Sequence, residues 1–254
     1  MTLPRRPLGT TGMDVSLLGL GTVAFGRSAG LKYPRPVAIP DERELRELLR
    51  RARELGVNLI DTAPAYGASE ARLGELLHGE RASWIIATKT GEEFIGGTSS
   101  WDFSPRHTEA SVLRSLERLR TDYLDVVLLH ANDADLDVVE RSGALESLAE
   151  LKRRGLVRAI GVSHKTAAGG LAAIARCDVL MTELSPGVRD QLAVLEAARA
   201  RGCGVIVKKA LASGHVTDPA ASLRWVAAQS GVSSIVVGTT SVAHLEADAR
   251  ALIR

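Results

Sequence analysis

A chain of 254 residues with 45% hydrophobic and 24% charged residues has enough apolar side chains for one sizeable core, and its composition argues against disorder. Its 32 Lys and Arg offset 30 Asp and Glu and are scattered without a basic tail or stripe, which argues against a nucleic-acid partner. No stretch approaches a membrane span, and Arg5 and Arg6 are not followed by an apolar signal segment, so a cytoplasmic protein is expected.

From the start of the chain, 8–15 carries Gly9 and Gly12 around Thr10 and Thr11, a turn-rich stretch suited to a small hairpin that would plug the bottom of a barrel. Short runs rich in Val, Ile and Leu then recur and predict strands over 17–20, 58–61, 84–88, 124–130, 158–163, 179–183, 205–209 and 234–237. They show little alternation, as strands buried on both faces should. Helical patterns begin near Asp41, Ser69, Pro105, Ser142, Thr166, Gly187, Asp218 and Ser241. Ser104 before Pro105 suits a helix start, and Gly56, Gly155 and Gly202 stand where helices must stop. Eight strand–helix units with no linker between them predict a closed (β/α)8 barrel, with residues 1–254 as a single domain. Cys177 and Cys203 lack metal-ligand spacing and read as reduced structural thiols, and no metal site is expected.

Gly19, Gly21 and Ala24 match a dinucleotide fingerprint, but Pro34, Pro36 and Pro40 follow in a polar loop where the phosphate-binding helix should open. The glycines read better as a first β/α loop lying close to a ligand. In barrels of this kind the chemistry stands at the C-terminal ends of the strands. Asp61, Lys89 and His130 end the second, third and fourth strands, and Tyr66 follows Asp61 in a loop with Pro64 and Gly67. Each has an ordinary explanation alone, as cap, solvated charge, packing or core histidine. Four such groups on one rim are another matter, because buried charge is costly unless paired. A phenol holds its proton at neutral pH and can give it to a developing alkoxide. An adjacent ammonium should lower the phenol's pKa, a carboxylate would anchor that ammonium, and an imidazole could polarise a carbonyl oxygen.

At this point the sequence resembles the aldo-keto reductase family over essentially its whole length. The residues that carry the likeness are RPLGTTGMDVSLLGLG (6–21), VNLIDTAPAYG (57–67), IATKTG (86–91), FSPRHTEASVLRSLERLRTDYLDVVLLH (103–130), IGVS (160–163) and VGTTSVAHL (237–245). The resemblance implies that Asp61, Tyr66, Lys89 and His130 form a catalytic tetrad with Tyr66 as general acid. It also implies NADPH, with NADH possible, lying extended across the barrel mouth. Cofactor contacts are then expected from Gly21, Thr22, Asp61, Ser163, His164, Glu183, Lys208, Lys209, Leu211, Gly238, Thr239, Thr240, His244 and Asp248. Several depart from the family pattern: His164 replaces an asparagine, Glu183 a glutamine, and Lys208 the tyrosine that stacks on nicotinamide. Basic side chains common beside the adenosine 2'-phosphate are absent, leaving His244 and hydroxyls, and Asp248 stands where an asparagine commonly meets adenine. Lys209 could reach a phosphate or form a solvated rim pair with Lys208.

The reading is therefore an NAD(P)H-dependent oxidoreductase acting on aldehydes or ketones, or on the corresponding alcohols or aldoses. The alternatives are a cofactor-binding redox sensor with little turnover and, more remotely, a Schiff-base aldolase using Lys89, a role that neighbouring carboxylates disfavour. Loops are short, so the mouth should be open and permissive, lined by Phe25, Tyr66, Trp101, Phe103 and His130. Substrate, direction and oligomeric state are not written in the sequence.

Overall fold

Strands that are apolar on both faces need cover on both, and the chain provides it by closing its sheet on itself and wrapping it in helices. A computed structural model describes residues 2–253. In chain order the strands are β1 (Arg5–Pro7), β2 (Asp14–Ser16), β3 (Leu18–Gly21), β4 (Leu59–Asp61), β5 (Ile85–Thr90), β6 (Glu92–Ile95), β7 (Thr98–Trp101), β8 (Leu124–His130), β9 (Val157–Ser163), β10 (Val179–Glu183), β11 (Gly204–Lys208) and β12 (Val232–Gly238). The helices are α1 (Glu42–Glu54), α2 (Ser69–Leu76), α3 (Pro105–Arg118), α4 (Asp135–Arg141), α5 (Ala144–Arg153), α6 (Ala167–Ala173), α7 (Leu192–Ala200), α8 (Pro219–Ala227) and α9 (Val242–Leu252). Eight strands, β3, β4, β5, β8, β9, β10, β11 and β12, pair in parallel and close with β12 against β3. This is the expected (β/α)8 barrel.

The core has two parts. Inside the barrel, Leu59, Ala87, Val126, Leu128, Ala159, Met181, Ile206 and Val236 meet Leu8, Met13 and Val15 from the β1–β2 hairpin, which plugs the bottom as expected. Gly9 permits the close approach, because a Cβ there would fall 2.3 Å from the Gly204 nitrogen. Outside, residues of the opposite strand faces such as Ile60, Ile86, Val127, Leu129, Val162 and Ile235 pack under the helices. Asp125, fully buried on β8, ties the shell together: it accepts from the Ile86 N–H at 3.0 Å and from Arg81 at 2.7 Å and Arg158 at 2.9 Å.

Helix starts follow their caps. Asp41 makes a reciprocal capping box with Glu44 before α1, and Ser104 accepts from the His107 N–H before α3. Three features depart from the sequence expectation. An additional short helix, α4, precedes the one expected near Ser142, and Gly143 at φ +76° separates it from α5. The helix expected near Gly187 starts at Leu192, because Ser185 and Val188 pair back on each other in a tight turn. The third is an antiparallel hairpin, β6–β7, in the loop after β5.

If the hairpin is a plug and not a decoration, its buried leucine should matter as core. Leu8→Ala is expected to lower stability by about 2–5 kcal/mol in urea unfolding, whereas Leu113→Ala on the exposed face of α3 changes it by less than about 0.5 kcal/mol. Equal small effects would remove the plug from the core.

Candidate active site at the barrel mouth

The strand register brings the ionisable groups together. Asp61 at the end of β4 pairs in register with Ala87 of β5, which puts Lys89 two residues further up the neighbouring strand. Lys89 is 1% exposed, and its Nζ donates to Asp61 Oδ1 at 2.5 Å, to the Thr62 carbonyl at 2.9 Å and to the Tyr66 hydroxyl at 3.1 Å. Three acceptors around one ammonium account for its protons in a dry setting. Tyr66 is delivered by a single 3-10 turn, Pro64–Tyr66, closed by its N–H to the Ala63 carbonyl at 3.0 Å. Gly67 then turns away at φ +61°, where a Cβ would fall 2.2 Å from the Gly26 carbonyl oxygen. The Tyr66 hydroxyl also lies 3.4 Å from Asp61 Oδ2.

Electrostatically the phenol differs from the sequence expectation. Burial pushes the Tyr66 pKa well above 10, with Asp61 and Glu92 adding to the rise, so the Lys89 ammonium does not achieve a net lowering. Asp61 cancels the charge that Lys89 brings. The consequence is a phenol that is protonated throughout the neutral range, as a proton donor must be.

His130, at the end of β8, sits edge-on to Tyr66 with ring centroids 6.3 Å apart. Its Nδ1 lies 2.7 Å from Glu92 Oε2. Glu92 was not among the residues singled out in the sequence. It comes from the missed β6–β7 hairpin, whose signal is Gly96-Gly97 between two short extended runs, the composition of a two-residue hairpin turn. Although burial opposes its charge, hydrogen bonding and attraction from His130 hold the Glu92 carboxyl down to about 2. Burial in turn draws the His130 pKa below 6.5.

The expected cofactor residues fall into three places. At the first strand, Gly21 abuts Gly238, and Thr22 is buried and donates through Oγ1 to the Asp61 carbonyl at 2.8 Å. At strands β9 to β11, Lys208 Nζ donates to Ser163 Oγ at 2.9 Å and to the His164 carbonyl at 2.8 Å. His164 itself is turned into the protein: Nδ1 meets the Thr166 carbonyl at 3.0 Å and Nε2 meets Thr182 Oγ1 at 2.7 Å, leaving neither nitrogen for a ligand. Glu183 and Lys209 form an ion pair with each other. Lys209 holds φ +56°, and Leu211 leads into the 3-10 turn Ala212–Gly214. The third place is the start of α9, where Thr239 Oγ1 accepts from the Ser241 N–H at 3.1 Å and Ser241 Oγ accepts from the His244 N–H at 3.3 Å. Asp248, one turn beyond His244, is buried, and desolvation raises its pKa to about 6.

The aromatic lining needs correction. Phe25 is completely buried in the core beneath the helices and presents no surface to a ligand. Phe103 packs under Gly91 at the base of the hairpin, and Trp101 is exposed on β7 opposite Glu92. An aromatic the sequence reading passed over is Tyr33. Its hydroxyl reaches within 2.6 Å of where a Gly238 Cβ would stand.

The donor set suits a dinucleotide. Gly21 beside Gly238, the Lys208–Ser163 pair and the start of α9 offer glycine backbone, polar side chains and backbone N–H groups, the donor types a dinucleotide needs. Among known proteins, residues 17–220 match the model of the Aldo/keto reductase family. The chain belongs to that family. A crystal structure from Pseudomonas aeruginosa assigned to the aldo-keto reductases is 48% identical, with a TM-score of 0.90 over 98% of this chain and 95% of that one. The holo form of an aldo-keto reductase from Bacillus halodurans is 26% identical with a TM-score of 0.83, over 99% of this chain and 91% of that one. Among curated relatives, L-galactose dehydrogenase of Arabidopsis thaliana is 30% identical over 97% of this chain and 87% of its own length. The NADH-specific methylglyoxal reductase of Escherichia coli is 32% identical over 62% of this chain, and the match spans 51% of that protein. An uncharacterized oxidoreductase of Bacillus subtilis, YqkF, matches over only 48% of its length. As an aldo-keto reductase, the chain is an oxidoreductase that works with NAD(P)H on small carbonyl compounds.

The buried ion pair gives a test independent of turnover. Removing one partner strands the other charge, so Lys89→Met should destabilise the fold by about 3–5 kcal/mol. The double variant Lys89→Met/Asp61→Leu should be more stable than the two single losses added together, a coupling measurable by a double-mutant cycle in denaturant. Strictly additive losses would mean that the two groups do not depend on each other.

Proposed function

We propose that this enzyme reduces an aldehyde or ketone with NADPH as preferred cofactor, using Tyr66 as the proton donor, and that it also runs the reverse oxidation of an alcohol or aldose. The observation that carries this reading is the placement of a protonated phenol 3.1 Å from a buried ammonium that is anchored 2.5 Å from a carboxylate. The bound cofactor supplies the hydride. As the carbonyl carbon gains that hydride with its electron pair, the oxygen takes the Tyr66 proton, and Lys89 stabilises the phenolate left behind. His130 completes the polar wall around the oxygen with its free Nε2. Ser163 and Lys208 orient the nicotinamide end, while Gly21, Thr22 and Gly238 leave room for the chain of the dinucleotide. Gly238, Thr239 and Thr240 lead the adenosine end to the start of α9.

The likeness to L-galactose dehydrogenase runs along nearly the whole chain, and it favours small polyhydroxylated substrates in an open mouth. The nucleotide preference is expected to be modest. Backbone N–H groups at the α9 start attract a 2'-phosphate, but no Arg or Lys stands in its first turn, and Asp248 lies nearby.

Tyr66→Phe should leave cofactor binding nearly unchanged and reduce turnover by about a hundredfold or more, since only proton transfer is lost. Near wild-type turnover at saturating cofactor would sink the assignment, and negligible turnover by the wild type across aldehydes, ketones and aldoses would favour a redox sensor. For the cofactor, a group whose pKa is raised to about 6 is neutral below that pH and anionic above it. The preference for NADPH over NADH, roughly tenfold to a hundredfold, should therefore narrow as pH climbs through 6. Asp248→Asn should abolish that narrowing, and Thr240→Arg should widen the preference at all pH values. Nucleotide dissociation constants at acid and alkaline pH check all three, and tighter binding of NADH would overturn the choice.

A further inference from the structure

The β6–β7 hairpin places an ionised carboxylate against the one tetrad member that has no other fixed partner. Glu92 is held on both oxygens: Oε1 accepts from Ser99 Oγ at 2.6 Å across the hairpin, and Oε2 lies 2.7 Å from His130 Nδ1. Arg27, which stacks on Phe94 of the same hairpin with its guanidinium 3.3 Å from the ring centre, adds positive charge on the Glu92 side. His130 Nδ1 is buried, and although Oε2 stands off the ideal N–H line, no other acceptor reaches this nitrogen among the described residues. Nε2, by contrast, makes no hydrogen bond among the described residues, and the ring stands edge-on to Tyr66.

A carboxylate can only accept, so a proton between these atoms has to be on Nδ1. An unprotonated Nδ1 would instead set lone pair against lone pair at 2.7 Å. Neutral imidazole carries one proton only. With that proton on Nδ1, Nε2 offers a bare lone pair to whatever enters the mouth.

We propose that Glu92 is a positioning residue for carbonyl reduction: it keeps a proton on His130 Nδ1, so that Nε2 donates a hydrogen bond to the substrate oxygen only when the imidazole carries both protons. The inference rests on the reading of the site as a carbonyl-reducing one, in which the oxygen gains negative charge as hydride arrives and needs donors around it. Tyr66 still supplies the transferred proton, and both His130 protons remain on the ring at the end of the step. Glu92 provides the counter-charge that makes the doubly protonated form tolerable in a buried place.

The groups facing His130 set the sign of the pH dependence. Burial disfavours the charged ring most, Glu92 on the hairpin opposes that, Lys89 on β5 and Lys208 on β11 disfavour it further, and Tyr66 is uncharged. The balance lies below 6.5, so the doubly protonated form is lost as pH rises past that balance point. The kcat/KM for reduction should then be highest at acid pH and fall by about tenfold per pH unit above the break, the slope of one required proton.

In Glu92→Gln the side-chain amide can accept from Nδ1–H or donate to a bare Nδ1, which frees neutral His130 to carry its proton on Nε2. The break should disappear. The experiment measures kcat/KM for methylglyoxal as a probe carbonyl with saturating NADPH between about pH 5 and pH 8, for the wild type and Glu92→Gln. Beside it, nitrogen-15 NMR of histidine-labelled protein without cofactor, with His130→Gln identifying the signal, reports which ring nitrogen holds the proton at the alkaline end. The expected result is a falling wild-type profile, a flat Glu92→Gln profile, and a proton on Nδ1 in the wild type that redistributes toward Nε2 in the variant. A flat wild-type profile, the same break in both proteins, or Nε2 protonated in the wild type at alkaline pH would overturn the proposal. The NMR readout needs no turnover, so a failure of the Tyr66 assignment remains a separate result.

Discussion

The site depends on one ammonium kept where water is scarce. Lys89 and Asp61 are both buried, and taking two charges out of water offsets most of what their attraction returns, so the pair is a poor device for stability. It is a good device for holding positive charge still beside a phenol. Everything around it serves that end: the β4–β5 register sets the spacing, the Thr62 carbonyl accepts another of the ammonium's hydrogen bonds, and Thr22, just after β3, pins the Asp61 backbone.

The same burial sets the two proton-bearing groups apart. It drives Tyr66 up, so the phenol holds its proton through the neutral range, and it drives His130 down. Groups whose environments push their affinities in opposite directions are a mark of acid–base assignment. Lys208 follows the same logic on the far wall: burial first, and then the neighbouring Lys209 and Lys89, bring its pKa down to about 7. Its charge is therefore adjustable near neutral pH.

Much of the architecture was legible because the barrel imposes a simple rule on its strands. The runs at 124–130 and 179–183 are built mainly on Val, Leu and Met, and they coincide with β8 and β10. The cluster of Asp61, Tyr66, Lys89 and His130 was legible for a related reason, since four such groups at neighbouring strand ends, unlike any one of them, have few cheap explanations. What escaped was contact that depends on rotation about a side-chain bond or on a loop with its own fold. Nothing in the sequence around His164 says that its ring turns inward to Thr182, or that Phe25 sinks into the core three residues after buried Thr22. Glu92 was lost with its hairpin: a strand of four residues after a strand of six reads as one polar loop, and only Gly96-Gly97 marks the turn.

The central claim is that hydride and proton reach the carbonyl in one constellation organised by Lys89. The most direct measurement is the single-turnover rate of methylglyoxal reduction by bound NADPH, with deuterium at the transferred position and, separately, in deuterated solvent. The account predicts that the label slows the step and appears on the carbinol carbon, that deuterated solvent slows the same step, and that Lys89→Arg keeps both effects while Lys89→Met loses the reaction. Deuterium absent from the product carbon, or a Lys89→Met enzyme with an unchanged single-turnover rate, would contradict it.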